Sequence, residues 1–594
     1  MTDLDLALIG NCQIAALLDR RARISWACLP RLDGDPAFCA LLAGNDEPEA
    51  GYFDVQLTNF ARSEQRYVPN TAIVETFLHD DSGGVVKIVD FAPRFQQNRR
   101  SFRPVMFVRL VVPIAGNPRV RIRLRPLGEY GAMRPALTHG SNHIRFVLPN
   151  LTLRLTTDAS ITAVLEERVF VLDHPVTLVL GPDETLADAP GAIAYHFLAE
   201  TKNYWESWTH GLSIPFEWQD AVIRAAITLK LCTFEDTGAV IAGVTTSIPE
   251  APNSGRNWDY RYCWLRDSFF VVQALNRLGA TTTMEQYLHY VINVATEAGD
   301  KPLQPVYGIS GEPRLVERIV DTLPGYRGMG PVRVGNQAYE QIQNDVYGSV
   351  VMAATQFFFD GRIVAGGDLA ALQRLERLGE RAVQLFDTPD AGLWEYRGRQ
   401  RVHTFSSAMC WAAADRLSRI AARLGADDRA LHWRGLADRM HGQIVRSSWN
   451  ATLGCFTEAF GRHELDASVL LLPALGFLRA DDPRFTSTVN VIEKSLRIGT
   501  HIRRYVAADD FGLPESAFNV CTFWYIDALA AIGRRDEARE IFEGMLACRT
   551  SLGLLSEDVN PTTNELWGNF PQTYSMVGII NSAMRLSRSW EEAL

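Results

Sequence analysis

Over roughly the first 200 residues, apolar and polar positions alternate with a period of two. The stretch "VRIRLRP" (Val120 to Pro126) alternates without a miss and "LTLRLT" (Leu151 to Thr156) repeats the pattern, the signature of a sheet wetted on one face. Similar short runs follow one another ("AIVETFLH", "VVKIVDF", "MFVRLVV", "HIRFVL", "VFVLD", "VTLVLG"), punctuated by "HDDSGG", "IAGNP" and "GPDE" at spacings expected of an antiparallel sandwich. Past "AIAYHFLAETKNYWESWTHGL" (Ala192 to Leu212), which reads as a connecting helix, the period changes to about 3.6. Twelve helices are predicted, at 217–235, 267–279, 281–297, 344–359, 367–386, 406–423, 427–448, 466–473, 483–496, 519–532, 534–548 and 572–589. Many arrive as pairs joined by short turns. In "RLSRIAARLGADDRALHWRGLADRM", Gly425 stops one helix and Asp427 is expected to cap the next. Paired antiparallel helices in that number predict a closed toroid of six hairpins.

Composition narrows the function. At 594 residues the chain exceeds one ordinary core, so two domains are expected. A hydrophobic fraction of 47% and a charged fraction of 22% are those of a globular protein. A net charge of -10 and no Lys/Arg-rich run disfavour nucleic acid as a partner, and a neutral ligand fits better. The N-terminus has no basic segment, apolar core or cleavage site of a signal peptide, and no window reaches ~18 uninterrupted apolar residues. A cytoplasmic protein without a membrane partner is the expectation. Nine scattered cysteines, among them Cys12, Cys39, Cys263, Cys410 and Cys548, form no C-x-x-C pair, so they read as small buried hydrophobes in a reducing compartment rather than metal ligands. Oligomeric state is left open.

Chemistry is sought in the long connections between helix pairs, residues 299–343, 388–405, 449–465, 497–518 and 549–571, because structureless loops of that length are usually functional. No H-E-x-x-H, P-loop lysine motif or G-x-S-x-G occurs. "GYRGMGPVRVGN" (Gly325 to Asn336) follows no strand and opens no helix, so it reads as a loop close to a ligand and not as a phosphate cradle. Two acidic sites stand out. In "DAGLWEYRG", Glu395 lies between Trp394 and Tyr396, and an apolar wall would raise its pKa as a general acid requires. In "GLLSEDVNP", Glu557 precedes Asp558 after an apolar run, where an ionised carboxylate could act as base on water. A third stretch, "RNWDYRYCWLRDSFF" (Arg256 to Phe270), crowds Trp258, Tyr260, Tyr262 and Trp264 beside Arg266 and Asp267. Aromatics with polar tips need partners once buried, and the adjacent fork and carboxylate suit vicinal sugar hydroxyls. Taken singly, each has a plainer reading: a solvated loop glutamate, a helix-start ion pair, a core stripe. Together, at loop–helix junctions that a toroid brings to one end, they point to a saccharide site.

With these residues in view the chain resembles glycoside hydrolase family 15, the glucoamylase-like and trehalase-like enzymes. The resemblance rests on "DYRYCWLRDS", on "GLWE", "IRRY" and "GLLSE" in family order, and on the N-terminal "LIGNCQIAALLDRRARISWACLPRLDGDPAF" of its bacterial branch, and so spans nearly the whole chain. It implies an N-terminal antiparallel β-sandwich (1–191), a linker helix (192–212) and a catalytic (α/α)6 barrel (213–594). It further implies Glu395 as general acid and Glu557 as general base. Arg266 and Asp267 would hold hydroxyls of the non-reducing glucose, Tyr260 and Trp264 would shape that pocket, and Trp394 and Arg504 would flank the scissile bond. The chain departs from the family pattern at Tyr396, where fungal members often carry glutamate, and at Asp558, where bacterial relatives often have Glu. The expected activity is inverting release of β-glucose from short soluble α-glucosides of maltose or isomaltose type, with no metal or organic cofactor. The alternatives are an α,α-trehalase and, more remotely, a disaccharide phosphorylase or a non-catalytic sugar-binding protein. Glu557 speaks against the phosphorylase, because a carboxylate where phosphate should sit repels the dianion.

Overall fold

The computed structural model describes residues 2–363 and 366–593; residues 1 and 594, the outer limits of the two expected domains, lie outside them. Two antiparallel sheets pack face to face in the N-terminal part. One runs Ala7–Gly10, Ala15–Leu18, Ile24–Leu29, Tyr52–Leu57, Arg119–Arg125 and Phe170–Val171, with Asp35–Phe38 paired to Ile24–Leu29 off this path. The other has eight strands in the order Ala136–His139, His143–Val147, Thr152–Thr157, Val176–Pro182, Phe107–Ala115, Val85–Phe91, Val74–Asp80 and Phe60–Tyr67. In the alternating strand Arg119–Arg125, Val120, Ile122 and Leu124 enter the core between the sheets while Arg123 and Arg125 turn outward to Asp54 and Glu167. This is the period-2 pattern converted into two faces.

Thr152–Thr157 departs from its sequence reading. The expected wet face is covered, leaving five of its six residues buried, Arg154 included. The cover over the outer face of this sheet is the helix Pro190–His210, whose Ala194, Phe197 and Leu198 pack on Val108, Leu110 and Val179. Arg154 settles its charge beside Asp183, 3.6 Å away.

The C-terminal part is an (α/α)6 barrel. Its inner ring consists of Asp267–Arg277, Asp345–Ala354, Thr404–Arg423, Ala467–Leu471, Asn519–Ala531 and Thr573–Leu586. These inner segments are apolar nearly all round because they are covered on every side. Outer partners are amphipathic: Leu369–Leu385 turns Leu372, Leu375, Gly379 and Ala382 inward and leaves its charges in water. The helix Gln219–Leu231 packs against Thr573–Leu586 and closes the ring. Two predicted helices differ in kind. Residues 466–473 form only a 3-10 turn, Ala467–Leu471, and 344–359 divides at Thr355 into Asp345–Ala354 and Gln356–Phe359. Asp427 begins its helix rather than capping it, since Ala426 holds the cap position, whereas Gly425 does supply the left-handed φ of +72° that ends the preceding helix.

One core is shared between the two parts. Leu8, Leu17 and Trp26 of the first sheet join the barrel's apolar cluster, and Trp26 Nε1 donates to the carbonyl of Val244 at 2.9 Å.

Candidate active site

The segment Arg256 to Phe270 crosses the barrel mouth as extended chain, paired through Cys263–Trp264 with Val306–Tyr307, and then starts a helix at Asp267. Extended chain sends successive side chains to opposite sides. Asp259 and Arg261 face the sandwich, where the fully buried Arg261 bonds Asp259 at 2.7 Å, the carbonyl of Gly34 at 2.7 Å and the Tyr130 hydroxyl at 2.9 Å. Trp258, Tyr260 and Trp264 face the other way and line a cavity of about 930 Å³, open solvent included, within the range of small-ligand sites. The crowding of aromatics and charges is therefore two rows: one locks the segment to the sandwich and the other walls the cavity.

The polar tips of that wall hold the two glutamates. Trp264 Nε1 donates to Glu395 Oε1 at 2.6 Å, and the Tyr260 hydroxyl donates to Glu557 Oε1 at 2.5 Å. The two rings touch edge to face, with centroids 5.3 Å apart, so one aromatic pair bridges both carboxyl groups. Glu395 receives two further donors on the same oxygen, Arg266 Nη2 at 3.1 Å and Gln343 Nε2 at 3.4 Å. Three donors on Oε1 make it the carbonyl-like oxygen, so a proton on this group belongs on Oε2. The backbone presents Glu395 through a left-handed turn, φ +59°, an unusual conformation for a residue with a side chain. Gly392 makes the turn possible, because a Cβ there would lie 2.8 Å from the His403 ring. Burial alone would lower the His403 imidazole, but Asp390, 2.7 Å away, and Glu458 push it up to about 9, which leaves a buried cation fastening the turn.

Glu557 is held by strand pairing. Its carbonyl accepts from Asn519 N–H at 2.9 Å, its N–H donates to the carbonyl of Asn569 at 3.1 Å, and the next two residues form the central strand of a three-stranded sheet. Gly568 is required opposite, since a Cβ there would stand 2.6 Å from Glu557 Cβ.

The electrostatics depart from the sequence reading. The sequence neighbours of Glu395 have partners of their own: Trp394 turns its N–H to Asp466 at 3.0 Å, and Tyr396 packs on His403 and Tyr505. Polar donors hold Glu395 instead. Nor is Glu557 in surroundings that favour its ionised form. Burial first, then the charge of Glu250, pushes its carboxyl up, and burial with the same neighbour pushes Asp558 up as well. The carboxylate oxygens of Glu250, Glu557 and Asp558 lie within 4.8 Å of one another, an arrangement that could hold a cation. Arg504 already brings one positive charge there through its ion pair with Glu250. Three acids against that charge cannot all ionise cheaply, so burial and their mutual repulsion push Glu557 and Asp558 up as a coupled pair.

Arg266 and Asp267 are adjacent and both line the cavity, with different partners. Arg266 is committed to Glu395 and to Gln343 Oε1, at 2.6 Å. Asp267 accepts no hydrogen bond from the described residues and faces the cavity, its carboxyl raised to about 7 by burial; Arg266 opposes the rise, and Glu395 and Asp345 add to it. Of the eight candidates, Tyr260, Trp264, Arg266, Asp267, Trp394, Glu395, Arg504 and Glu557, all line one cavity. Of the glycine-rich stretch only its last residue, Asn336, reaches it.

Sequence reasoning missed Glu250, Gln343, Trp524 and Tyr574. Glu250 was signalled only as a carboxylate between two prolines, "PEAP", just ahead of the aromatic segment. The others sit on inner helices or at their starts, where nothing in the pattern separates a cavity-lining side chain from a core one.

A β-sandwich joined to an (α/α)6 barrel, with two glutamates bridged by an aromatic pair in one cavity, is an arrangement suited to a glycoside hydrolase. The chain belongs to glycosyl hydrolases family 15, whose profile matches residues 218–584, and a trehalase-like N-terminal domain matches residues 4–163. Among curated relatives, a trehalase of Thermoplasma volcanium is 30% identical over 99% of this chain and 93% of its own length. A trehalase of Mycobacterium tuberculosis is 31% identical, covering 99% and 90%. A bacterial glucoamylase solved in complex with acarbose superposes with a TM-score of 0.69 at 14% identity, over 98% of this chain and 94% of that one, and so shares the fold.

Proposed function

We propose that the protein is an α,α-trehalase acting by inversion. The observation that carries the chemistry is the Tyr260–Trp264 pair holding Glu557 and Glu395 at one cavity. The names of the end-to-end relatives favour trehalose over the maltose-type substrates put first from the sequence. Glu395 acts as general acid: with Oε1 occupied by three donors, the proton on Oε2 passes to the oxygen joining the two sugars. Glu557, in its ionised form, takes a proton from water as that water attacks the anomeric carbon from the opposite face. Inversion calls for ~6.5–9.5 Å between the carboxyl groups so that the water fits. Asp267, which accepts no hydrogen bond from the described residues and lines the cavity, accepts hydroxyl hydrogen bonds from the first glucose.

Trehalose makes the stereochemical test sharp. Inversion at one anomeric carbon releases one β-glucose, and the leaving sugar departs as α-glucose, so the first-formed products are equimolar anomers. Retention through a covalent intermediate yields α-glucose alone. Proton NMR within the first minutes, on trehalose, maltose and isomaltose in parallel, tests both points. Preferential turnover of trehalose to a one-to-one mixture is expected. Only α-glucose, or preference for another disaccharide, would refute the mechanism or the substrate respectively.

A further inference from the structure

Part of the cavity lining is made by residues that the reaction above does not use. Arg256, Trp258, Arg397, Asp509, Asp510 and Phe511 line it together with the two glutamates, and Arg397 and Asp510 are exposed to water. Asp509 to Phe511 belong to a strap, residues 506–513, that is largely in water: Val506 and Leu513 are 45% and 62% exposed. Its middle is nevertheless pinned by a buried ion pair. Arg256 donates from Nη1 to Asp509 Oδ2 at 2.7 Å and from Nη2 to Asp509 Oδ1 at 2.5 Å, and Nη2 also reaches the carbonyl of Gly512 at 3.0 Å. The Tyr505 hydroxyl donates to Asp509 Oδ2 at 2.5 Å and the Phe511 N–H to Oδ1 at 2.8 Å. A bidentate guanidinium–carboxylate pair fixes orientation as well as position, and a buried pair of this kind adds little net stability for the desolvation it demands. Holding an exposed strap this way makes sense where its placement matters.

What the pair places is a wall. The Phe511 ring stands edge-on to Trp258, with centroids 5.2 Å apart and planes at 81°. The backbone N–H of Arg397 donates to Asp510 Oδ2 at 2.7 Å, and its guanidinium lies 4.7 Å over the Trp258 ring, held from behind by Glu317 at 2.8 Å and Gln337 at 3.0 Å. Asp267, Trp524 and Tyr574, all buried, make the cavity floor. If the first sugar sits against those buried residues with its anomeric carbon between Glu395 and Glu557, the second sugar extends toward the exposed strap. There it meets an aromatic ring for its C–H face and a carboxylate and guanidinium for its hydroxyl edge, the usual makeup of a saccharide subsite. Arg256 also begins the segment that holds both glutamates, so the leaving-sugar side and the bond-breaking side share one piece of backbone.

We propose that Phe511, Asp510 and Arg397 form the subsite for the leaving sugar and that the Arg256–Asp509 pair is the positioning device that holds it. This rests on the glycosidase reading above. The experiment compares two substrates on the full chain: trehalose, which fills both sugar sites, and α-glucosyl fluoride, whose departing fluoride needs no second sugar site. For Phe511→Ala and Arg397→Gln, the loss of kcat/KM on trehalose should exceed the loss on the fluoride by about ten-fold, seen chiefly in KM. Asp509→Ala should follow them, and Asp509→Asn, which keeps an acceptor for Arg256, should recover part of the loss. Equal losses on both substrates, as a merely structural role would give, overturn the proposal, as does no loss on either. If the unaltered enzyme cleaves neither substrate, the glycosidase reading itself fails. If it cleaves the fluoride but none of trehalose, maltose and isomaltose, the subsite alone is refuted.

Discussion

Asp267→Asn should stabilise the protein at alkaline pH while impairing it as an enzyme. The Asp267 carboxyl stands at about 7, against 3.8 for an unhindered aspartate. A raised carboxyl is one that the folded state keeps protonated where the unfolded chain has released its proton. Between pH 3.8 and about 7 the folded protein therefore binds more protons than the unfolded one, and stability falls as pH rises across that window. The displacement is about three pH units at ~1.4 kcal/mol each, so the ionised group costs about 4 kcal/mol once pH exceeds 7. Asparagine fills the same space at the start of helix Asp267–Arg277 and does not titrate. Thermal unfolding of both proteins at pH 5 and pH 8 should show the variant's advantage growing by several degrees toward pH 8. Turnover of trehalose should fall at both, because an acceptor for the glucose hydroxyls has been replaced by a half-donor amide. A melting difference that is the same at both pH values, or a variant less stable at pH 8, would show that no protonation cost is stored at this position.

The remaining tests address the catalytic pair. Glu395→Gln and Glu557→Gln should each lose ~10²–10⁴-fold in kcat with the fold intact by circular dichroism, the usual cost of one positioned acid or base, and near-normal turnover in either would remove that residue from the mechanism. Trp264→Phe keeps the ring but deletes the 2.6 Å donor to Glu395, so kcat should drop about ten-fold, the worth of one hydrogen bond to a charged or proton-sharing group; an unchanged kcat would mean that this contact does not orient the acid.

Local pattern decided much of this protein. The alternation of "VRIRLRP" produces a two-faced strand because side-chain period and pleat are both two. Helix starts such as 281, 427, 483 and 519 were legible within two residues because apolar periodicity, Gly and Pro act over one or two turns. The two acidic loops and the aromatic segment were legible too, since unusual chemistry in long connections stands out without any fold. What exceeded local reach was decided by packing. Arg154 is buried because a helix from elsewhere in the chain covers its sheet, and 466–473 tightens to a 3-10 turn within the inner ring against the patterning of its own residues.

The environment of each glutamate was decided only in three dimensions. Glu395 was expected to answer to Trp394 and Tyr396, its neighbours in sequence; its hydrogen-bond donors are Trp264, Arg266 and Gln343, brought to it from other parts of the chain. Glu557 has its carboxyl raised by burial and then by Glu250, and the strap at Asp509 is fixed by Arg256, which lies 253 residues earlier. A sequence displays which groups are present and which elements they begin or end. Charge–charge coupling and desolvation fall off over a few ångströms in space and are indifferent to separation along the chain, so only the closed barrel determines which groups share a cavity and what protons they hold.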